Sequence, residues 1–253
     1  MLTESQRDPK CFWDKKARVF PKFSPGEDTY EAQVLGKVMS CGVHFEGASV
    51  LDVGSGSGMY TLRIAKMAKC VTAVDISSEM LKILKNDAAG LGISNITYVN
   101  MDFLDFTPEK SYDIVWCSMS PAVGSEAGQE KLLSLPSATV VFTSAFEPMR
   151  SDILEGLFKY YNIQSTFLNG VGRMKNTLQE KLIPFKTIPL VGQWNVLFSF
   201  EDIKYSILGT LENFNVEVDH KHLDGYLKQF ENENGQYLEK TNYKLEIIIW
   251  QNY

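Results

Sequence analysis

From residue 49 onward, short apolar runs alternate with amphipathic ones. The first, Val50-Leu51-Asp52-Val53, runs straight into Gly54-Ser55-Gly56-Ser57-Gly58. Such an alternation predicts an α/β fold with a parallel sheet, because parallel neighbours must be joined by a crossover, ordinarily a helix. Strands are expected at 49–53, 71–75, 96–100, 112–118 and 139–146. Helices are expected between them at 59–67, 78–89 (with Ser77 or Ser78 as N-cap) and 128–135.

The flanks follow different patterns. Residues 1–44 carry aromatic and basic side chains (Phe12, Trp13, Lys15, Lys16, Phe20), then Tyr30, Val34, Leu35 and Val38 at helical spacing. This reads as a helical lead-in packed on the sheet. Towards the other end a helix is expected at 201–212, a sixth strand at 214–218 and a last, strongly apolar strand at 244–250. The final two are expected to pair antiparallel at one edge of the sheet. Residues 147–199 exceed what a crossover requires and read as an inserted cap. The whole is expected to be a single domain: lead-in 1–44, ligand-binding core 45–146, cap 147–199, closing helix and strands 200–253.

Composition narrows the function classes. A chain of 253 residues can bury one full α/β core. Its net charge of −6 argues against a nucleic-acid partner, which would call for a basic groove. Cys11, Cys41, Cys70 and Cys117 are scattered and, with three histidines, form no metal-ligand pattern. They read as reduced thiols, and no metal is expected. The N-terminus is polar and acidic rather than a signal peptide, and no apolar run is long enough to span a bilayer. A cytoplasmic setting without a membrane partner is the expectation.

The glycine cluster lets backbone approach a ligand at the carboxyl edge of the sheet. A dinucleotide fingerprint would need a third glycine where Met59 stands. Asp52, two residues before the first loop glycine, would repel a pyrophosphate and attract a ligand carrying an ammonium or sulfonium. Asp75 ends the second strand, where it can accept from both hydroxyls of a ribose. Asp102 ends the third strand and can accept from an exocyclic amine. Ile76, Met80 and Phe103 offer apolar faces for a purine.

In order and spacing, VLDVGSGSGMYTLRIA, VTAVDISSEML, the Asp102-Phe103 pair and YDIVWCSMSPAV resemble the successive motifs of class I, Rossmann-like S-adenosylmethionine-dependent methyltransferases. The resemblance covers residues 48–123, and the segment KLEIIIW resembles the family's closing strand. It implies an open, mostly parallel seven-stranded sheet with helices on both faces and the last strand antiparallel. It also implies S-adenosyl-L-methionine as cofactor. Asp52 and the backbone of Gly54, Ser55, Gly56 and Gly58 would hold its methionine portion and Asp75 its ribose. Ile76 and Met80 would flank the adenine, Asp102 and Phe103 would meet its amino edge, and Ser118 would line the site. Base-amino methyltransferases of this fold commonly carry Asn/Asp-Pro-Pro-aromatic after the fourth strand, but this chain has Ser118-Met119-Ser120-Pro121-Ala122. The departure points towards a small-molecule acceptor. RNA or protein methylation, or cofactor binding without turnover, are the alternatives, and an NAD-dependent oxidoreductase is a distant one.

Methyl transfer from a sulfonium needs in-line positioning above all, and a base only where the acceptor keeps its proton. His220 and His222, with His44 ahead of the first strand, are the candidates for a base, and Tyr160 and Trp194 are further catalytic candidates on the acceptor side. Tyr161, Arg173 and Asn195 join Tyr160 and Trp194 as residues in or beside the expected cap. Phe12, Trp13 and Tyr30 could close over the cofactor from the lead-in.

Overall fold

The computed structural model describes residues 8–167 and 169–252; the start of the lead-in, residues 1–7, lies outside them. Helix α1 (Pro9–Ala17) and helix α2 (Tyr30–Ser40) precede the sheet. Alternation then runs through β1 (Ser49–Val53), α3 (Thr61–Ala65), β2 (Cys70–Asp75), α4 (Ser78–Gly90), β3 (Ile96–Asn100) and β4 (Tyr112–Ser118). It continues with α5 (Glu126–Ser134) and β5 (Ser137–Ala145). Each of these elements lies within a few residues of its expected bounds, and Ser77 caps α4 by accepting from the Met80 amide at 3.1 Å. Beyond β5 come the two-residue β6 (Arg150–Ser151), α6 (Asp152–Tyr160), α7 (Gly170–Glu180), β7 (Phe185–Phe198), α8 (Phe200–Glu212), α9 (His220–Leu227) and β8 (Tyr237–Gln251).

Strands β1 to β5 are parallel in the order β3-β2-β1-β4-β5. Strand β8 lies antiparallel beside β5 and pairs along its whole length with β7, also antiparallel. Two reversals leave β7 parallel to β5, so β8 is the reversed strand, as expected. The sheet has eight strands rather than seven, because β6 adds a short rung against Thr241 and Asn242 of β8.

The tail departs from expectation in three ways. The sixth full strand is residues 185–198, inside the segment expected to be a cap. Its burial is irregular and it contains Pro189, which an edge strand tolerates because the missing N–H can face away from the ladder. Conversely, residues 214–218 form no strand. Their alternation is met by helix packing, with Phe214 edge-on to Phe158 at 5.1 Å, and Asn215 at φ 53° breaks an extended run. Thirdly, β8 begins at Tyr237, well before the expected 244. The material added to the sheet is therefore split between α6 and the α8–α9 region, which lies between β7 and β8.

The sheet has an apolar cluster on each face. One joins α2, α3 and α4 to Val50, Ala73, Trp116 and Ile247. The other joins α5 and α7 to Leu51, Val115, Phe142 and Trp250. A third cluster binds α6, α8 and α9 together through Ile153, Leu157, Ile203, Ile207, Leu211, Leu223 and Leu227, with Tyr237 of β8 and Phe198 of β7 as its sheet contacts. No helix among the described residues is long and apolar enough to cross a membrane. The four cysteines are free, and Cys117 is buried.

Candidate active site

Parallel register brings the ends of β1, β2 and β4 to one edge, and there the glycine loop turns. Gly54 and Gly58 both have positive φ, at 70° and 89°. A Cβ on Gly54 would collide with the Ser120 side chain, and one on Gly58 with Leu84 of α4. These two glycines are thus required by packing as well as conformation. Gly56 differs: the nearest atom to a Cβ there is the edge of the Phe20 ring at 3.9 Å, which leaves room above its backbone.

Asp52 lies at this turn with 3% of its surface exposed. Thr61, at the start of α3, donates to its Oδ2 at 2.5 Å. No cation pairs with Asp52 among the described residues. Burial pushes its carboxyl up to about 7; the Thr61 bond opposes the shift and the charge of Asp75 adds to it. Asp75 is also raised by burial, against two backbone bonds. Its Oδ2 accepts from the Gly56 amide at 2.7 Å and its Oδ1 from the Ser77 amide at 2.8 Å. It therefore fixes the loop and the start of α4 in one gesture.

The other expected cofactor residues are placed unevenly. Ile76 and Ser118 are half-buried at the same edge, and Met80 is buried. Asp102 accepts from the Leu104 amide at 2.9 Å. The Phe103 side chain is turned into the core beneath α5 and α7, so only its backbone is available to a ligand, a correction to its expected role as an apolar face. The core claims the ring because the chain bends immediately after β3.

The lead-in roofs the loop through contacts between segments distant in sequence. Asp14 of α1 accepts from Ser77 Oγ at 2.7 Å and from the Glu79 amide at 3.2 Å. Ser57 donates to the Pro21 carbonyl at 3.2 Å. Arg63 donates to the Ser24 and Gly26 carbonyls and to Thr29 Oγ1 at 2.5–2.8 Å. Thr61, Ser120, Asp14 and Arg63 were not among the expected site residues. Thr61 alone had a local signal, a hydroxyl at the helix start next to the loop.

The catalytic candidates separate into two groups. Tyr160 stacks on His222, with centroids 3.6 Å apart and planes 10° apart, and His220 opens α9; all three belong to the α6–α9 layer. Among the described residues no hydrogen bond links them to Asp52, Asp75 or the loop. Tyr161 accepts from the Asp219 amide at 3.2 Å, and Arg173 donates to the Gly124 carbonyl at 2.9 Å. Trp194 instead stands past the carboxyl edge, because β8, with β7 paired along it, runs on beyond the end of its pairing with β5. Its ring meets Tyr30 at 5.5 Å and Tyr243 at 4.5 Å. A cleft of about 870 Å³ between α1 and α8 is lined by Phe12, Trp13, Leu208 and Val218 and includes none of the loop or strand-end acids. No group of His, Cys, Asp and Glu residues suited to a metal occurs among the described residues.

An open sheet of this order with one reversed strand, a glycine loop after β1 and acids at the ends of β1 and β2 defines the Rossmann-like methyltransferase fold. Comparison with known proteins agrees: residues 50–134 match the family model described as a methyltransferase domain. Demethylmenaquinone methyltransferase of Tropheryma whipplei is 42% identical over 71 residues, 27% of this chain and 28% of that one. An rRNA adenine N-6-methyltransferase of Lysinibacillus sphaericus is 32% identical over 71 residues, 28% of each chain. This chain thus spans 28% of the length of these curated relatives. Magnesium protoporphyrin IX methyltransferase from Synechocystis PCC 6803 superposes with a TM-score of 0.54 at 14% identity, covering 95% of this chain and 94% of that one. That likeness is one of fold.

Proposed function

We propose that this chain is an S-adenosylmethionine-dependent methyltransferase with a small-molecule acceptor. The carrying observation is Asp52, a buried carboxylate beside the glycine loop with a hydroxyl partner and no cation. A cationic amino acid end fits that position, and phosphate does not. Gly56 leaves the backbone open beneath Phe20, and Asp75 keeps acceptor capacity for a ribose after serving two amides. When bound, the cofactor supplies a methyl group already activated by a sulfonium. Transfer would exchange the carbon–sulfur bond for one to the acceptor atom, with the electron pair leaving on sulfur and any acceptor proton passing to solvent. The protein's part is to hold donor and acceptor in line and keep water out.

A small molecule is favoured by the Ser118-Met119-Ser120-Pro121 segment, by net charge −6 and by the small-molecule substrate named for the Tropheryma relative. Calorimetry with S-adenosylhomocysteine and with NAD tests the cofactor: micromolar affinity is expected for the first and none measurable for the second. Asp75→Ala should weaken S-adenosylhomocysteine by about 2–3 kcal/mol, the scale of hydrogen bonds to a charged group. Comparable NAD affinity in the wild type would overturn the assignment.

A further inference from the structure

The polar atoms buried without a hydrogen-bond partner in and around the loop include Tyr30 Oη, Tyr60 Oη and Trp116 Nε1, beside Ser55 Oγ and Arg63 Nε. Leaving such groups unpaired is costly, so a fold that keeps several together calls for an explanation. They come from separate elements. Tyr60 stands between Gly58 and Thr61, the residue bonded to Asp52, and its ring tilts over Trp116 of β4 at 4.9 Å. Tyr30 opens α2 and stands edge-on to Trp194 of β7 and to Tyr243 of β8, both at 5.5 Å. The two hydroxyls neighbour each other without the geometry of a bond, and Ser118, at the end of β4, neighbours Tyr60. Burial holds both phenols well above their ordinary pKa, so they are neutral groups able to donate and to accept. Trp194 and Tyr243, like Tyr30 and Tyr60, are half-buried as residues, so the ring cluster is partly open to solvent while the two hydroxyls are not.

We infer that Tyr30 and Tyr60 anchor the methyl acceptor, and that the acceptor is a planar aromatic molecule carrying a hydroxyl or amino group. The phenols would meet that polar group, while Trp194 and Tyr243 would stack on its ring. The position suits the reaction: Tyr60 directly precedes Asp52's partner Thr61 along the chain, which sets the anchor beside the expected methionine end. This inference rests on the methyltransferase reading and gives its acceptor a chemical class.

The test uses the full chain saturated with S-adenosylhomocysteine and 2-naphthol as probe, followed by quenching of tryptophan fluorescence. Naphthalene, which lacks the hydroxyl, is the control. Saturable 2-naphthol binding is expected, weakened about five- to tenfold in Tyr30→Phe and in Tyr60→Phe, the worth of one hydrogen bond. Naphthalene binding and S-adenosylhomocysteine affinity should stay within about threefold of wild type. The melting temperature of each ligand-free variant should hold or rise, since a buried hydroxyl with no partner is being removed. Unchanged 2-naphthol affinity in both variants, or a lowered melting temperature from a broken internal bond, would overturn the anchor while the cofactor reading stood. Failure of the wild type to bind S-adenosylhomocysteine would instead bring down that reading, and the anchor with it.

Discussion

Asp52 carries a proton-linked cost that a cationic ligand can relieve. Its carboxyl titrates near pH 7 in the folded chain and near 3.8 in an ordinary setting. Between those values the folded state holds more protons than the unfolded one, so this group lowers stability as pH rises through the window. A bound ammonium or sulfonium favours the carboxylate and reverses the preference. Affinity for S-adenosylhomocysteine should therefore rise about tenfold from pH 6 to pH 8, with proton release on binding, for a group whose pKa falls by a unit or more. Calorimetry in buffers of different ionisation enthalpy reads both; a flat profile in wild type, identical to Asp52→Asn, would count against it. Gly58 gives a second prediction. Its φ of 89° and the Leu84 side chain in the way of a Cβ make Gly58→Ala destabilising by roughly 2–4 kcal/mol. Urea unfolding measures it, and a cost under 0.5 kcal/mol would show that Leu84 yields freely.

Among the elements, the lead-in behaves as a strap rather than an independent helix pair. Arg63 gathers Ser24, Gly26 and Thr29, and Asp14 adds a second acceptor at the start of α4. Arg63→Ala removes three hydrogen bonds and should free the segment from 18 to 29. Trypsin should then cut after Lys22, which is exposed, at least several-fold faster, and S-adenosylhomocysteine should dissociate faster. Equal cleavage rates would show that Pro21 and Phe20 hold the strap unaided. The elements also differ in how openly their residues announce them. Strands β3 and β4 were found to the residue because their apolar runs are short, continuous and bounded by turns. The edge strand β7 was passed over because Pro189, Gly192 and a half-exposed face blur its period. The run Phe214 to Val218 has a strand's alternation, yet Asn215 in the left-handed region and the packing of Phe214 on Phe158 give it another use.

Taken whole, the molecule has two parts of unequal cohesion. The sheet is buried on both faces, whereas α6, α8 and α9 share one cluster that reaches the sheet through Tyr237 and Phe198 at the ends of β8 and β7. Amides of α8 and α9 should exchange with solvent well before those of β1, β4 and β5. Hydrogen exchange followed by mass spectrometry checks this, and uniform protection would mean a single cooperative unit. The sequence by itself determined the cofactor half: strand, glycine loop, helix and acids lie within residues 50–118, and parallel register alone carries their ends to one edge. It could not determine what faces that edge. The strap over Gly56, the burial of Phe103 and the meeting of Tyr30, Tyr60, Trp194 and Tyr243 join segments up to some two hundred residues apart. Local periodicity carries no information about such contacts; they exist only once α2 and the extended β7–β8 pair have docked against the same end of the sheet.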